Sequence, residues 1–121
     1  MALLQEEIGN YQAFSRLLSI LRLNSKNNQP SALAVECLLH VAIKPRTYEE
    51  LVMLTNTQNQ VISRAVLSMV PHVKRTSSKD EIVQPSMHLL NRERRRAPLK
   101  GYRVSLSKGG ELLFIQAGLS I

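Results

Sequence analysis

The sequence predicts a mainly α-helical fold with a small β element, an α+β class, on three observations. Apolar residues recur at intervals of three and four over residues 3–23, 31–43 and 47–70, the period of a helix with one buried face. Residues 102–106 instead alternate apolar and polar side chains, the period of a half-buried strand. Residues 91–101 carry charge, a Pro and a Gly and bury nothing, so they read as the tip of a hairpin. At 121 residues a single domain over 1–121 with a modest core is expected, and 4% aromatic content makes that core aliphatic.

In chain order, Leu4, Ile8, Tyr11, Phe14, Leu18 and Leu21 form one stripe, widened by Leu3, Leu17, Ile20 and Leu23. A helix this apolar needs a surface to pack on, either the chain's own core or a second copy. Its polar face (Gln5, Glu6, Glu7, Asn10, Gln12) is not basic, which argues against a membrane-surface role. Asn24 to Pro30 is a loop by composition, with Pro30 at a helix beginning. Over Ser31 to Ile43 the face Ala34, Val35, Leu38, Val41 and Ala42 predicts a scaffold helix. Pro45 ends it, and Lys44 and Arg46 suit the negative end of its dipole.

Thr47 and Glu50 stand at the spacing of a capping box, in which each side chain satisfies the other's free backbone donor. Leu51, Val52, Met53 and Leu54 follow, then Asn56, which tolerates the left-handed conformation that ends a helix. Thr57 and Gln60 repeat the box spacing, and Val61, Ile62, Ala65, Val66 and Met69 recur behind them. Two short helices joined by a tight polar turn over 47–70 are a helix-turn-helix candidate. Pro71 closes the second helix. Residues 72–81 read as a polar loop with a short strand at 73–75. Ile82 to Leu90 reads as the first strand of the hairpin, held to an edge by Pro85, with a helix from Ser86 as the rival. A short apolar helix over 109–119 ends near Gly118.

Charge divides unevenly along the chain. Residues 1–56 hold five basic and five acidic residues, so the formal +7 lies wholly in residues 57–121, with 11 basic and 4 acidic. One-sided positive charge is the footprint of a polyanion-binding surface. A single cysteine forms no internal disulfide, so a reducing, cytoplasmic setting is expected. No secretory signal and no apolar run of about 20 residues is present, and no membrane association is expected.

These segments resemble the winged helix-turn-helix repressors. Laid on their pattern, Leu51 takes the anchoring leucine, Thr55 and Asn56 the turn, Ile62-Ser63-Arg64-Ala65-Val66 the core of the second helix, and Met69 the leucine after it. Arg103 to Leu112 is similar to the segment that leaves the wing in the MarR type. The resemblance covers roughly residues 30–115 and implies a two-stranded wing over 82–106. It also implies a homodimer through 3–23 and the C-terminal segment, with Leu4, Ile8, Tyr11, Phe14, Leu18, Leu21, Leu113 and Phe114 at the contact. The implied partner is double-stranded DNA carrying a palindromic operator, and the implied role is transcriptional repression. The sequence names no effector-binding residue.

The chemistry of the side chains agrees with that partner. Gln58, Asn59, Gln60, Ser63 and Arg64 lie early on the second helix, opposite its apolar side. Gln and Asn bond adenine, and Arg bonds guanine, in two-point fashion in the major groove. Arg92, Arg94, Arg95, Arg96, Lys100 and Arg103 face only Glu93 at the wing, and Lys74 and Arg75 add backbone contacts. Catalysis is not expected, nor is a cofactor or metal. His40, His72 and His88 match no metal-ligand spacing, and Glu49 and Glu50 belong to a helix's first turn rather than to an acid/base pair. Cys37 reads as a packed thiol, with nothing basic beside it to lower its pKa. Two other readings remain: a replication, partition or transfer accessory factor of plasmid or phage type, and a protein-interaction module. Too few aromatics are present for RNA base stacking.

Overall fold

The structure, a computed structural model, describes residues 5–25, 30–75 and 78–119, with side chains from residue 9 onward. Five helices and five strands are seen among the described residues. Helix α1 (Gln5–Asn24) packs on α5 (Lys108–Ala117), while α2 (Ala32–Ile43), α3 (Tyr48–Thr55) and α4 (Asn59–Leu67) pack on one another. Strand β1 (Arg46–Thr47) opens α3, and β4 (Leu90–Arg94) and β5 (Tyr102–Leu106) form a hairpin. These three make an antiparallel sheet in the order β1-β5-β4 that rests on α2 and α3. A separate antiparallel ribbon joins β2 (His72–Arg75) to β3 (Asp80–Val83).

One core runs through these elements. Leu17 and Leu21 of α1 meet Leu113, Phe114 and Ala117 of α5, and Leu38, Leu51, Ile62 and Val66 join the helices behind the sheet to Leu90 and Val104. Each such leucine taken fully out of water contributes about 1.5–3 kcal/mol. The α1 stripe is rotated from the one its leucines suggest. Ala13, Leu17 and Leu21 are the buried residues, whereas Tyr11 and Leu18 are exposed and Phe14 stands at the border of exposure. Leu4 and the side chain of Ile8 lie outside the described residues. Leu21, Leu113 and Phe114, expected at a contact between copies, are instead about 2% exposed within this chain and hold α1 to α5. The reason is geometric: α1 and α5 meet each other first, and the residues on their mutual face are used there.

The helix ends follow the capping chemistry at two places and depart from it at a third. Ser31 caps α2 by accepting from Ala34 N at 3.1 Å. The capping box at Thr47 and Glu50 is complete, with both bonds at 3.2 Å, and Asn56 ends α3 at φ 52. The second box does not form. Gln58, not Thr57, is the N-cap of α4 and has no side-chain cap bond. The Thr57 hydroxyl donates instead to the Thr55 carbonyl at 3.0 Å, and the Thr57 N–H donates to Val52 O at 3.2 Å. The left-handed Asn56 turns the chain so sharply that Thr57 still belongs to the end of α3.

The expected strand over Ile82 to Leu90 divides into two. Its first residues pair with β2, with His72 opposite Val83 and Arg75 opposite Asp80. Residues 84–89 are irregular, and β4 begins only at Leu90. Consequently the wing is 90–106, shorter than the 82–106 expected, and β2 and β3 form a ribbon of their own. A single carbonyl explains how both fit. Met69 O accepts from the N–H groups of both Leu89 and Leu90 at 3.1 Å, so the chain leaves the body at Met69 and returns at the same point. The β2–β3 ribbon is thus tied to the body at one point, and the length of chain it takes up costs little.

Ser107 anchors the other end of the wing. Buried at 3% exposure, it accepts from Gly110 N at 3.1 Å as the N-cap of α5 and donates its hydroxyl proton to His88 O at 2.7 Å. Its N–H donates to Leu89 O at 3.0 Å. Gly110 is required by close approach: a Cβ there would collide with the Leu89 carbonyl and come within 2.6 Å of Leu106 Cδ1.

Candidate nucleic-acid interface

Helix α4 owes its orientation to its apolar side. Ile62, Ala65 and Val66 are buried against α2 and α3, with Met69 continuing that face. The residues half a turn away must then face solvent. Gln60, Ser63 and Arg64 share that stripe at spacings of three and four; Gln60 and Arg64 are exposed and Ser63 is half-buried. Gln58 and Asn59, at the cap and first turn, are exposed as well. The Gln58 carbonyl accepts from Val61 N and Ile62 N, both at 3.1 Å, which leaves its amide side chain unused by the cap. The five side chains therefore make a polar surface of amides, a hydroxyl and one guanidinium, a donor and acceptor set that fits base edges.

The wing separates its arginines by strand register. Leu90, Arg92 and Arg94 share the inner sheet face with Tyr102 and Val104. Arg92 is held there. Its guanidinium lies 4.1 Å from the centre of the Tyr102 ring, and Nη1 donates to the Tyr48 hydroxyl at 3.4 Å. Tyr48 and Tyr102 themselves meet at 5.4 Å between ring centres. Arg92 is thus a strut between wing and α3, a role that its charge alone did not suggest. Arg94 leans toward the same ring at 5.9 Å but is exposed. Arg95 donates to the Lys100 carbonyl at 3.4 Å across the tip, while its N–H donates to Gly101 O at 3.0 Å. The exposed Arg96, Lys100 and Arg103 complete the basic surface. Gly101, at φ 85, supplies the turn that an L side chain would strain.

Lys74 and Arg75 fall on β2 of the separate ribbon. Both are exposed, yet the register sets Glu81 opposite Lys74 and Asp80 opposite Arg75. Each of these cations thus has a carboxylate as its cross-strand neighbour, whereas in the wing only Arg103 does, opposite Glu93. Lys74 and Val73 line a cleft of about 1020 Å³ with Arg64 and Val61 of α4, which places this ribbon beside the polar helix.

Sequence reasoning missed β1 and the Arg46 contacts. Arg46 Nε donates to the His40 carbonyl at 3.2 Å, closing the end of α2, and Nη1 lies 3.9 Å from Glu50. The signal for β1 was only two residues long, too short for periodicity to register. Cys37 is fully buried, and burial, reinforced by the neighbouring Glu36 carboxylate, pushes its thiol up to about 11. It is therefore a neutral core thiol. Among the described residues no group of three or more His, Cys, Asp or Glu is placed to hold a metal ion, and no helix is long and apolar enough to cross a membrane.

No protein-family model and no curated protein matches the chain. Two solved structures do. The transcriptional regulator BldR from Sulfolobus solfataricus is similar over 98% of this chain and 78% of its own, with a TM-score of 0.52 and 15% identity. Wild-type MarR from E. coli, in its apo form, is similar over 97% of this chain and 76% of its own, with a TM-score of 0.50 and 14% identity. These likenesses show a winged helix-turn-helix fold of the MarR type.

Proposed function

We propose that this winged helix-turn-helix chain binds double-stranded DNA in a sequence-dependent manner and acts as a homodimeric transcriptional repressor. One observation carries the reading: a helix pinned by Ile62, Ala65 and Val66 leaves Gln58, Asn59, Gln60 and Arg64 exposed and Ser63 half-buried beside them, in a chain whose hairpin also exposes Arg94, Arg96, Lys100 and Arg103. Amide and guanidinium groups on α4 read base edges in the major groove. Arg94, Arg95, Arg96, Lys100 and Arg103 on the wing meet phosphates or the minor groove. Arg92 supports the wing from behind rather than touching DNA.

Dimerisation rests on the apolar residues that the core leaves out. Tyr11 (68% exposed), Phe14 and Leu18 on α1, and Leu112 and Ile115 on α5, are large and uncovered on two helices that pack together. These five residues offer apolar area that a second copy could cover. Two copies would then present two recognition helices to half-sites about one helical turn apart. Selection of bound duplexes from a random pool tests the reading. A two-fold symmetric consensus is expected; recovery of unenriched sequences would remove the sequence-reading role.

A second reading, a protein-docking module, has one observation in its favour. Val73 and Ile82 are cross-strand neighbours on the β2–β3 ribbon and both are exposed. A gel shift with random duplex at low salt separates the two, because a docking module gives no shift.

A further inference from the structure

Beside the first turn of α3, on the sheet face opposite Tyr102 and Val104, lies a cleft of about 540 Å³. Register builds it: Thr47 of β1, Arg103 of β5 and Glu93 of β4 sit side by side across the three strands. Its charged walls are Lys44, Arg95, Arg96 and Arg103 with the carboxylates Glu50 and Glu93, and Arg94 borders it while leaning toward Tyr102. Glu50 is already engaged, accepting from Thr47 N at 3.2 Å and lying 3.9 Å from Arg46. Glu93 stands directly across from Arg103, so the lining holds Lys44, Arg95, Arg96 and Arg103 against two carboxylates and keeps a positive balance. Like charges gathered in a concave site raise the local potential and concentrate anions there. Arginine's planar fork matches phosphate oxygens two at a time. The volume is in the range of small-ligand sites, and Pro45 and Leu99 add apolar wall.

We propose that this cleft seats a phosphate-bearing anion of nucleotide size, its polyphosphate against Lys44, Arg95, Arg96 and Arg103 and an apolar moiety between Pro45 and Leu99. The proposal goes beyond duplex binding and stands without it. A duplex backbone offers the same oxyanion chemistry, and the arms of the experiment separate the two sources. Full-length protein is titrated with inorganic tripolyphosphate and followed by phosphorus NMR, in parallel with anisotropy of a labelled random duplex. Saturable one-site binding is expected, weakened at least about tenfold in the Lys44→Gln/Arg103→Gln variant. The Arg22→Gln/Lys108→Gln variant, which removes the same charge from exposed sites elsewhere, should bind tripolyphosphate as before. No saturable binding, or equal loss in both variants, would overturn the proposal. Tripolyphosphate that displaces duplex assigns the seat to the backbone, and simultaneous binding assigns it to a free ligand; either keeps the seat. Protein that binds tripolyphosphate but no duplex would end the DNA reading and leave this one standing.

Discussion

Thr47 and Glu50 hold the start of α3 through two reciprocal bonds, and one of them tunes a titration. The Thr47 N–H donates to the Glu50 carboxylate and holds it below its ordinary value of 4.5, with Lys44 and Arg46 acting in the same direction. A carboxylate whose pKa is lowered on folding lends stability that is complete above the unfolded value and is lost as pH falls through the folded one. Glu50→Gln should therefore shrink the loss of stability on acidification below about pH 4.5, read by urea unfolding at several pH values. Thr47→Ala should cost about 1 kcal/mol at neutral pH. A different arginine role is testable nearby. Because Arg92 stacks on Tyr102 and bonds Tyr48, Arg92→Ala should lower unfolding stability by about 1 kcal/mol. Arg96→Ala, at an exposed tip position, should change it by no more than about 0.5 kcal/mol.

At the scale of elements, the hairpin β2–β3 is the largest departure from what the residues advertise, and its energetics follow from its exposure. Only His72 and Val83 of its eight strand residues are even half-buried. Replacing residues 73–82 with an Asn-Gly turn should leave thermal unfolding almost unchanged, within about 0.5 kcal/mol. A large loss would mean that the ribbon supports the body. The helices were legible because capping and burial act over a few residues. Thr47, Glu50 and Asn56 announce the bounds of α3, and Ile62, Ala65 and Val66 fix which way α4 faces. The strands were less so. Nothing local in Ile82 to Leu90 reveals that Met69 O gathers both Leu89 and Leu90, a bond across twenty residues. The charged run from Asn91 to Arg94 hides a strand, since Arg92 reaches its partners only through the paired register with β5. Likewise, α1 shows a broad apolar stripe, and only the presence of α5 decides that Leu17 and Leu21 go inward while Tyr11 and Leu18 stay out.

The molecule as a whole joins an apolar face on α1 and α5 to a polar helix and a basic wing at other parts of the chain. If the apolar face joins two copies, a Leu18→Asp/Ile115→Asp variant should sediment as a monomer and lose affinity for symmetric duplex. Its helical content should be retained, because both side chains are exposed in the single chain. The wing and α4 do different things in this account, and salt separates them. Each phosphate contact contributes about −0.9 to the slope of log affinity against log salt, whereas base contacts set preference among sequences. The most direct measurement is duplex affinity across a salt series for the native chain, for Arg95→Ala/Arg96→Ala and for Asn59→Ala/Gln60→Ala. The wing pair should weaken binding to all sequences and flatten the slope by about 1.8, while the helix pair should keep the slope and narrow the gap between selected and random duplex. Identical behaviour of the two variants, or no binding of any duplex at low salt, would contradict this division of roles.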